Sequence, residues 1–133
     1  MGEGWGLDMQ KALKTVWLKL PGYVIERYQL SRDSVMVHAD LWKKIASKHP
    51  ESLSAAELHL EAAIAAPDYV GQAPQHFENI EMIRRTPAGP LLVAIKIRNK
   101  KGFEVRPLVA SAYLIEQRKL ANRLDNRTVV RVK

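Results

Sequence analysis

Hydrophobic positions along the chain follow two different periods, and the changes of period mark its elements. Lys14–Leu20 and Tyr23–Gln29 are rich in β-branched and aromatic residues, and the turn dipeptide Pro21-Gly22 separates them. That pattern predicts two short strands or a hairpin, with Ser34–Val37 as a further short strand. From Asp40 the period lengthens. Leu41 and Ile45 fall four apart while Lys43, Lys44 and Lys48 lie elsewhere, which predicts a helix over Asp40–Lys48 that Pro50 ends. Ser54-Ala55-Ala56-Glu57 matches a capping box, with Leu53 and Leu58 at the staple positions, so a second helix is expected to about Ala66 and a stop at Pro67.

After Gly71 the helical period disappears. Asn79–Thr86, Pro90–Arg98 and Phe103–Ile115 read as strands, with turns at Thr86–Gly89 and Asn99–Gly102, which suggests an antiparallel meander. Gln117–Leu124 suits a short helix with Leu120 and Leu124 on one face, and Thr128–Val132 an edge strand. Helices first and sheet afterwards mean α+β. Alternation orients the strands. Leu91, Val93, Ile95 and Ile97 should face the helices, leaving Lys96 and Arg98 on the open face; Leu108, Ala110, Ala112 and Leu114 should face inward, leaving Val109, Ser111 and Tyr113 open. Pro107 lacks an N–H and predicts a bulge or an edge position. Counting from the turns sets Ser111 opposite Pro90 or Leu91, close to Arg84 and Arg85, with Lys96 roughly 15 Å further along the sheet.

The 133 residues suit one domain, and 47% hydrophobic content lies in the globular range. No apolar run approaches the ~20 residues of a membrane-spanning helix. The glycine-rich start, Met1–Gln10, reads as a fraying end and not as a secretory signal. Cysteine is absent, which excludes disulfides and thiolate chemistry and permits a cytoplasmic life. Charge is distributed unevenly. Residues 1–83 hold 8 Lys/Arg against 11 Asp/Glu, a net of −3, whereas residues 84–133 hold 13 against 3, a net of +10. A half so cationic attracts polyanions, nucleic acid foremost, though a solvated basic surface explains part of it.

Several short motifs then follow one another in order. His49-Pro50-Glu51 closes one helix, and Ala66-Pro67-Asp68-Tyr69-Val70 closes the next. Ile80–Arg85, the strand with Lys96 and the Ser111-Ala112-Tyr113 strand come after them. Over about residues 31–124 this order resembles the phage-type nucleases of the barnase–EndoU–colicin–RelE superfamily. The resemblance implies N-terminal helices packed on a four-stranded antiparallel sheet, with residues 31–133 as the nuclease domain and 1–30 as an extension. It further implies a metal-independent endoribonuclease without cofactor, from a prophage or toxin setting, acting in the cytoplasm of the producing or target bacterium. RNA, single-stranded by preference, would be its substrate, and an immunity or antitoxin protein its partner. The family's catalytic positions fall on His49, on Arg84 or Arg85, and on Ser111 and Tyr113; Ser111 stands where Thr is common.

Those residue types suit the chemistry. RNA cleavage without a metal needs the 2′-hydroxyl deprotonated, the 5′-oxygen protonated and a charged phosphorane stabilised. Histidine serves either proton transfer near neutral pH, arginine stabilises the phosphorane, and a hydroxyl orients the phosphate. Glu81 is a candidate base if it lies on the open face. Lys96, Arg98, Lys100 and Lys101 are candidate phosphate contacts. Plainer roles exist for each: His49 suits a helix C-terminus, Ser111 a strand hydroxyl, Tyr113 packing, and the cations a solvated strand end. A non-catalytic nucleic-acid-binding or phage assembly protein would use the same basic face.

Overall fold

The computed structural model describes residues 14–72 and 75–132, so the Met1–Gln10 stretch lies outside the described residues. The three long strands lie where the alternation sets them: β4 (Asn79–Thr86), β5 (Gly89–Arg98) and β6 (Glu104–Leu114), joined by short turns as an antiparallel meander. The sheet around them is larger than expected. Seven strands run in the order β1-β2-β6-β5-β4-β3-β7, with β1 at Val16–Lys19, β2 at Ser34–Val37, β3 at Tyr69–Gly71 and β7 at Val129–Arg131. β2 runs parallel to β6, so the sheet is mixed. The expected four-stranded antiparallel sheet with N-terminal helices is therefore corrected to a seven-stranded mixed sheet with four helices among the described residues.

The N-terminal stretch contributes to this enlargement. β1 pairs with β2, but Tyr23–Gln29 is not the second strand of a hairpin. It folds as helix α1 (Gly22–Arg27), with Pro21 before it in extended backbone. Val24, Ile25 and Tyr28 recur at a helical spacing and pack into the main core with Leu20 and Leu30.

Helices α2 (Asp40–Lys48) and α3 (Leu53–Ala65) cover one face. Leu41, Trp42, Ile45, Leu60 and Ile64 meet Ile80, Met82, Leu91, Val93, Ile95 and Ile97 there, all of them buried. Burial of this size is the main source of stability. Ser54 is not the N-cap, because α3 starts at Leu53, two residues earlier than a cap at Ser54 would set it, after a 3₁₀ turn at Pro50–Ser52. Helix α4 (Gln117–Asp125) crosses the other face, setting Leu120 and Leu124 on Tyr69, Ile83, Leu92 and Val129. It covers one end of that face and leaves the rest open. Among the described residues no helix is long and apolar enough to cross a membrane.

β6 departs from simple alternation. Val109 and Ala112 are buried, while Leu108 and Ala110 are half-buried, because Ala110 has no partner between the pairs Ile95–Val109 and Ala94–Ser111. A second irregularity spans Pro107, where Lys96 pairs with Leu108 and Arg98 with Glu104. Such bulges flip the faces of the residues beyond them. Their summed effect sets Ser111 opposite Ala94, not Pro90 or Leu91.

Candidate active site

His49 closes helix α2. Its N–H donates to the Ile45 carbonyl at 2.7 Å, and its backbone (φ −139°, ψ 59°) leaves the helical region, as a residue before proline must. The Pro50–Ser52 turn then runs along the part of β6 that β2 does not reach, since β2 and β6 pair only at Met36 and Leu108. One bond from α2 and one from the turn hold this stretch to the edge. Lys44 Nζ donates to the Ala110 carbonyl at 2.5 Å, and the Leu114 N–H donates to the Ser52 hydroxyl at 2.9 Å. The His49 ring consequently stacks on Tyr113, with centroids 4.6 Å apart and planes 20° apart. The histidine side chain stays 35% exposed, and its Nδ1 lies 3.9 Å from Glu51 Oε1.

An ion pair also acts on Tyr113. Arg123, on α4, donates from Nε to Glu81 Oε1 at 2.9 Å and from a terminal nitrogen to Oε2 at 3.4 Å. Both side chains are largely buried, which makes this fork firmer than a surface pair. Burial raises the Tyr113 phenol above its ordinary pKa; the Glu81 charge adds to the rise and Arg123 opposes it. The phenol is therefore a neutral hydrogen-bond donor at physiological pH. The bond to Glu81 raises Arg123 further and keeps it charged.

Register sets the neighbours. Glu81, Ala94 and Ser111 form one row across β4, β5 and β6, so Glu81 and Ser111 are roughly 10 Å apart between Cα atoms at ~4.8 Å per strand. Asn79, Lys96 and Leu108 form the next row. Between β4 and α4 a cavity of about 260 Å³ is lined by Glu81, Arg123, Lys119 and Asn122. Tyr113, Glu81, Ser111 and Lys96 thus lie on the same side of the sheet, Tyr113 half-buried against the cluster under α4, with His49 stacked on it and Arg123 bordering Glu81.

The arginine pair is elsewhere. Arg84 donates to the Ala66 carbonyl at 2.6 Å, holding the end of α3 on the helix-covered side. Arg85 donates from Nε to the Tyr69 hydroxyl at 2.9 Å and stands 5.5 Å over that ring, beyond the Ile83–Leu92 row that α4 covers. The expected proximity of Ser111 to these arginines is lost to the bulges in β6. Arg98 turns from the open face to the strand end, donating to the carbonyls of Tyr28 at 3.2 Å and Gly102 at 3.5 Å. Lys100 and Lys101 are exposed in the β5–β6 turn, roughly 25 Å along β5 from the Tyr113 row at ~3.3 Å per residue.

No family model, characterised protein or solved structure matches this chain. Roles for these residues therefore rest on their chemistry and placement. Two contributors escaped the sequence reading. Arg123 had a signal: with Leu120 and Leu124 facing the core, it borders the sheet in the basic half. Ser52 had none beyond being a small polar residue ahead of a helix. Among the described residues no group of three His, Asp or Glu side chains could hold a metal ion.

Proposed function

We propose that the protein is an endoribonuclease that cuts single-stranded RNA by attack of the 2′-oxygen on the neighbouring phosphorus, at the face bearing His49 and Tyr113. The observation that carries this reading is the stacking of His49 on Tyr113 beside the Glu81–Arg123 pair. A proton-transfer group, a neutral donor and a fixed cation then border one accessible surface, the set that a metal-free phosphoryl transfer requires. The 2′-oxygen gains its bond to phosphorus as the 5′-oxygen leaves, giving a cyclic phosphate and a free 5′-hydroxyl. In this reading His49 carries one of the two proton transfers and Glu81 the other. Tyr113 donates to a phosphate oxygen, Arg123 stabilises the extra phosphorane charge, and Lys96 and Ser111 bind the adjoining strand.

A second reading is a binding module without catalysis. It is favoured by the engagement of both Glu81 oxygens with Arg123, which leaves that carboxylate less free to take a proton. Cleavage of a labelled RNA separates the two. His49→Ala should cost roughly 10²–10⁴ in rate with little change in affinity. Arg123→Ala should lower rate and affinity together, whereas Arg85→Ala, on the far side of α4, should leave both nearly unchanged. Activity should survive a chelator. Salt-dependent binding by a wild type that cuts no RNA would select the binding module.

A further inference from the structure

The row containing Lys96 continues to the β1 edge of the open face. Leu108 pairs with Met36, and Met36 with Trp17, so Trp17, Met36, Leu108 and Lys96 lie side by side on one face. Met36 and Leu108 are half-buried, and Trp17 is 50% exposed. An exposed tryptophan on an edge strand costs solubility and invites association, so its presence calls for a reason. The Arg106 guanidinium stands 5.3 Å from the Trp17 ring centroid. Beside them opens a groove of about 670 Å³, lined also by Arg32, Ser31 and Ser34.

Ile25 and one carboxylate, Asp33, also line the groove, and Glu104 stands behind Ser31. Asp33 lies 3.8 Å from Lys19 Nζ, and Glu104 accepts both the Ser31 N–H at 2.8 Å and the Ser31 hydroxyl at 2.7 Å. Those bonds lower the Glu104 pKa, with smaller help from Arg98 and Arg32. Neither Arg106 nor Arg32 forms an ion pair with a described residue. An aromatic platform bordered by arginines outside any ion pair, one of them against the Trp17 ring, is an arrangement that can stack a base and hold its phosphate.

We infer that Trp17, Arg106 and Arg32 form a base-stacking subsite for single-stranded RNA, across the Met36–Leu108 floor from His49 and Tyr113. This deepens the RNA reading and rests on it. Four residues along β5 and two strands across it, the two sites are about 16 Å apart, so only a strand of several nucleotides reaches both. The subsite therefore sets affinity for longer strands and leaves the chemistry at the other end unchanged.

The test is binding of single-stranded RNA bearing 2′-O-methyl groups, which 2′-oxygen attack cannot cut, to wild type, Trp17→Ala, Trp17→Leu and Trp17→Phe. Loss of one stacked base is worth about 1–3 kcal/mol, or roughly 5–150-fold in Kd, so Trp17→Ala and Trp17→Leu should weaken binding by about tenfold or more. Trp17→Phe should retain most of the affinity, because the ring face survives. Cleavage of a dinucleotide should be equal in wild type and Trp17→Ala. If wild type cuts nothing yet the binding series holds, the subsite stands and the catalytic reading falls. Equal affinity of Trp17→Ala and wild type overturns the subsite and leaves Trp17 as a contact for another protein. Wild-type affinity in Trp17→Leu overturns stacking.

Discussion

Replacing Ser52 with Ala removes one hydroxyl and should loosen the whole edge that carries His49. Ser52 is fully buried, makes no helix-capping hydrogen bond, and accepts from the Leu114 N–H at 2.9 Å. An alanine there leaves that N–H without an acceptor on an edge that β2 does not reach. A fully buried orphan would cost up to about 3 kcal/mol; Leu114 is only half-buried, so about 1–2 kcal/mol is expected. For a chain of this length that is a fall of roughly 3–8 °C in Tm. Ser54→Ala is the matched control. Ser54 is exposed in the first turn of α3 and should stay within about 0.5 kcal/mol of wild type. Thermal and urea unfolding give the stabilities, and amide hydrogen exchange identifies the bond, because protection of the Leu114 N–H should fall selectively. Unchanged protection of that amide, or an equal loss in Ser54→Ala, would refute the reasoning.

Two further perturbations follow from the packing. A Cβ at Gly71 would collide with the Thr128 carbonyl oxygen, so Gly71→Ala should separate β3 from β7, cost more than about 2 kcal/mol and raise hydrogen exchange over residues 129–131. Burial raises the phenols of Tyr23, Tyr28 and Tyr113 above their ordinary pKa of 10.0. The folded state then holds protons that the unfolded chain has released. Stability present below pH 10 should be lost as pH rises through the raised values, and tyrosinate absorbance should lag behind that of the unfolded protein.

Legibility in the sequence followed the strength of local patterning. Long strands such as β5, with Leu91, Val93, Ile95 and Ile97 inward, announce themselves because period 2 is sustained over the whole element. Asp40–Lys48 does so through Leu41 and Ile45. Tyr69–Gly71 is too short to show any period, and its place between β4 and β7 is decided by pairing. The parallel contact of β2 with β6 joins residues about 70 apart and has no local trace. Ser111 was legible as an open-face hydroxyl but not in its register, because an unpaired Ala110 and the irregularity at Pro107 move it along β5. His49 and Tyr113 were both read as site residues, whereas their contact depends on a turn bonded to a sheet edge. Arg84 and Arg85 lie apart from the His49–Tyr113 contact. Arg84 holds a helix end and Arg85 an aromatic ring, while Arg123 is the cation that pairs with Glu81 near Tyr113.

The most direct test of RNA cleavage at this face is one gel of two end-labelled substrates, with chelator present throughout. One substrate is an unmodified single-stranded RNA and the other the same sequence with every 2′-oxygen methylated. The account predicts that purified protein cuts the first to fragments ending in a 2′,3′-cyclic phosphate and leaves the second intact. Cleavage of both strands, or of neither, would contradict it.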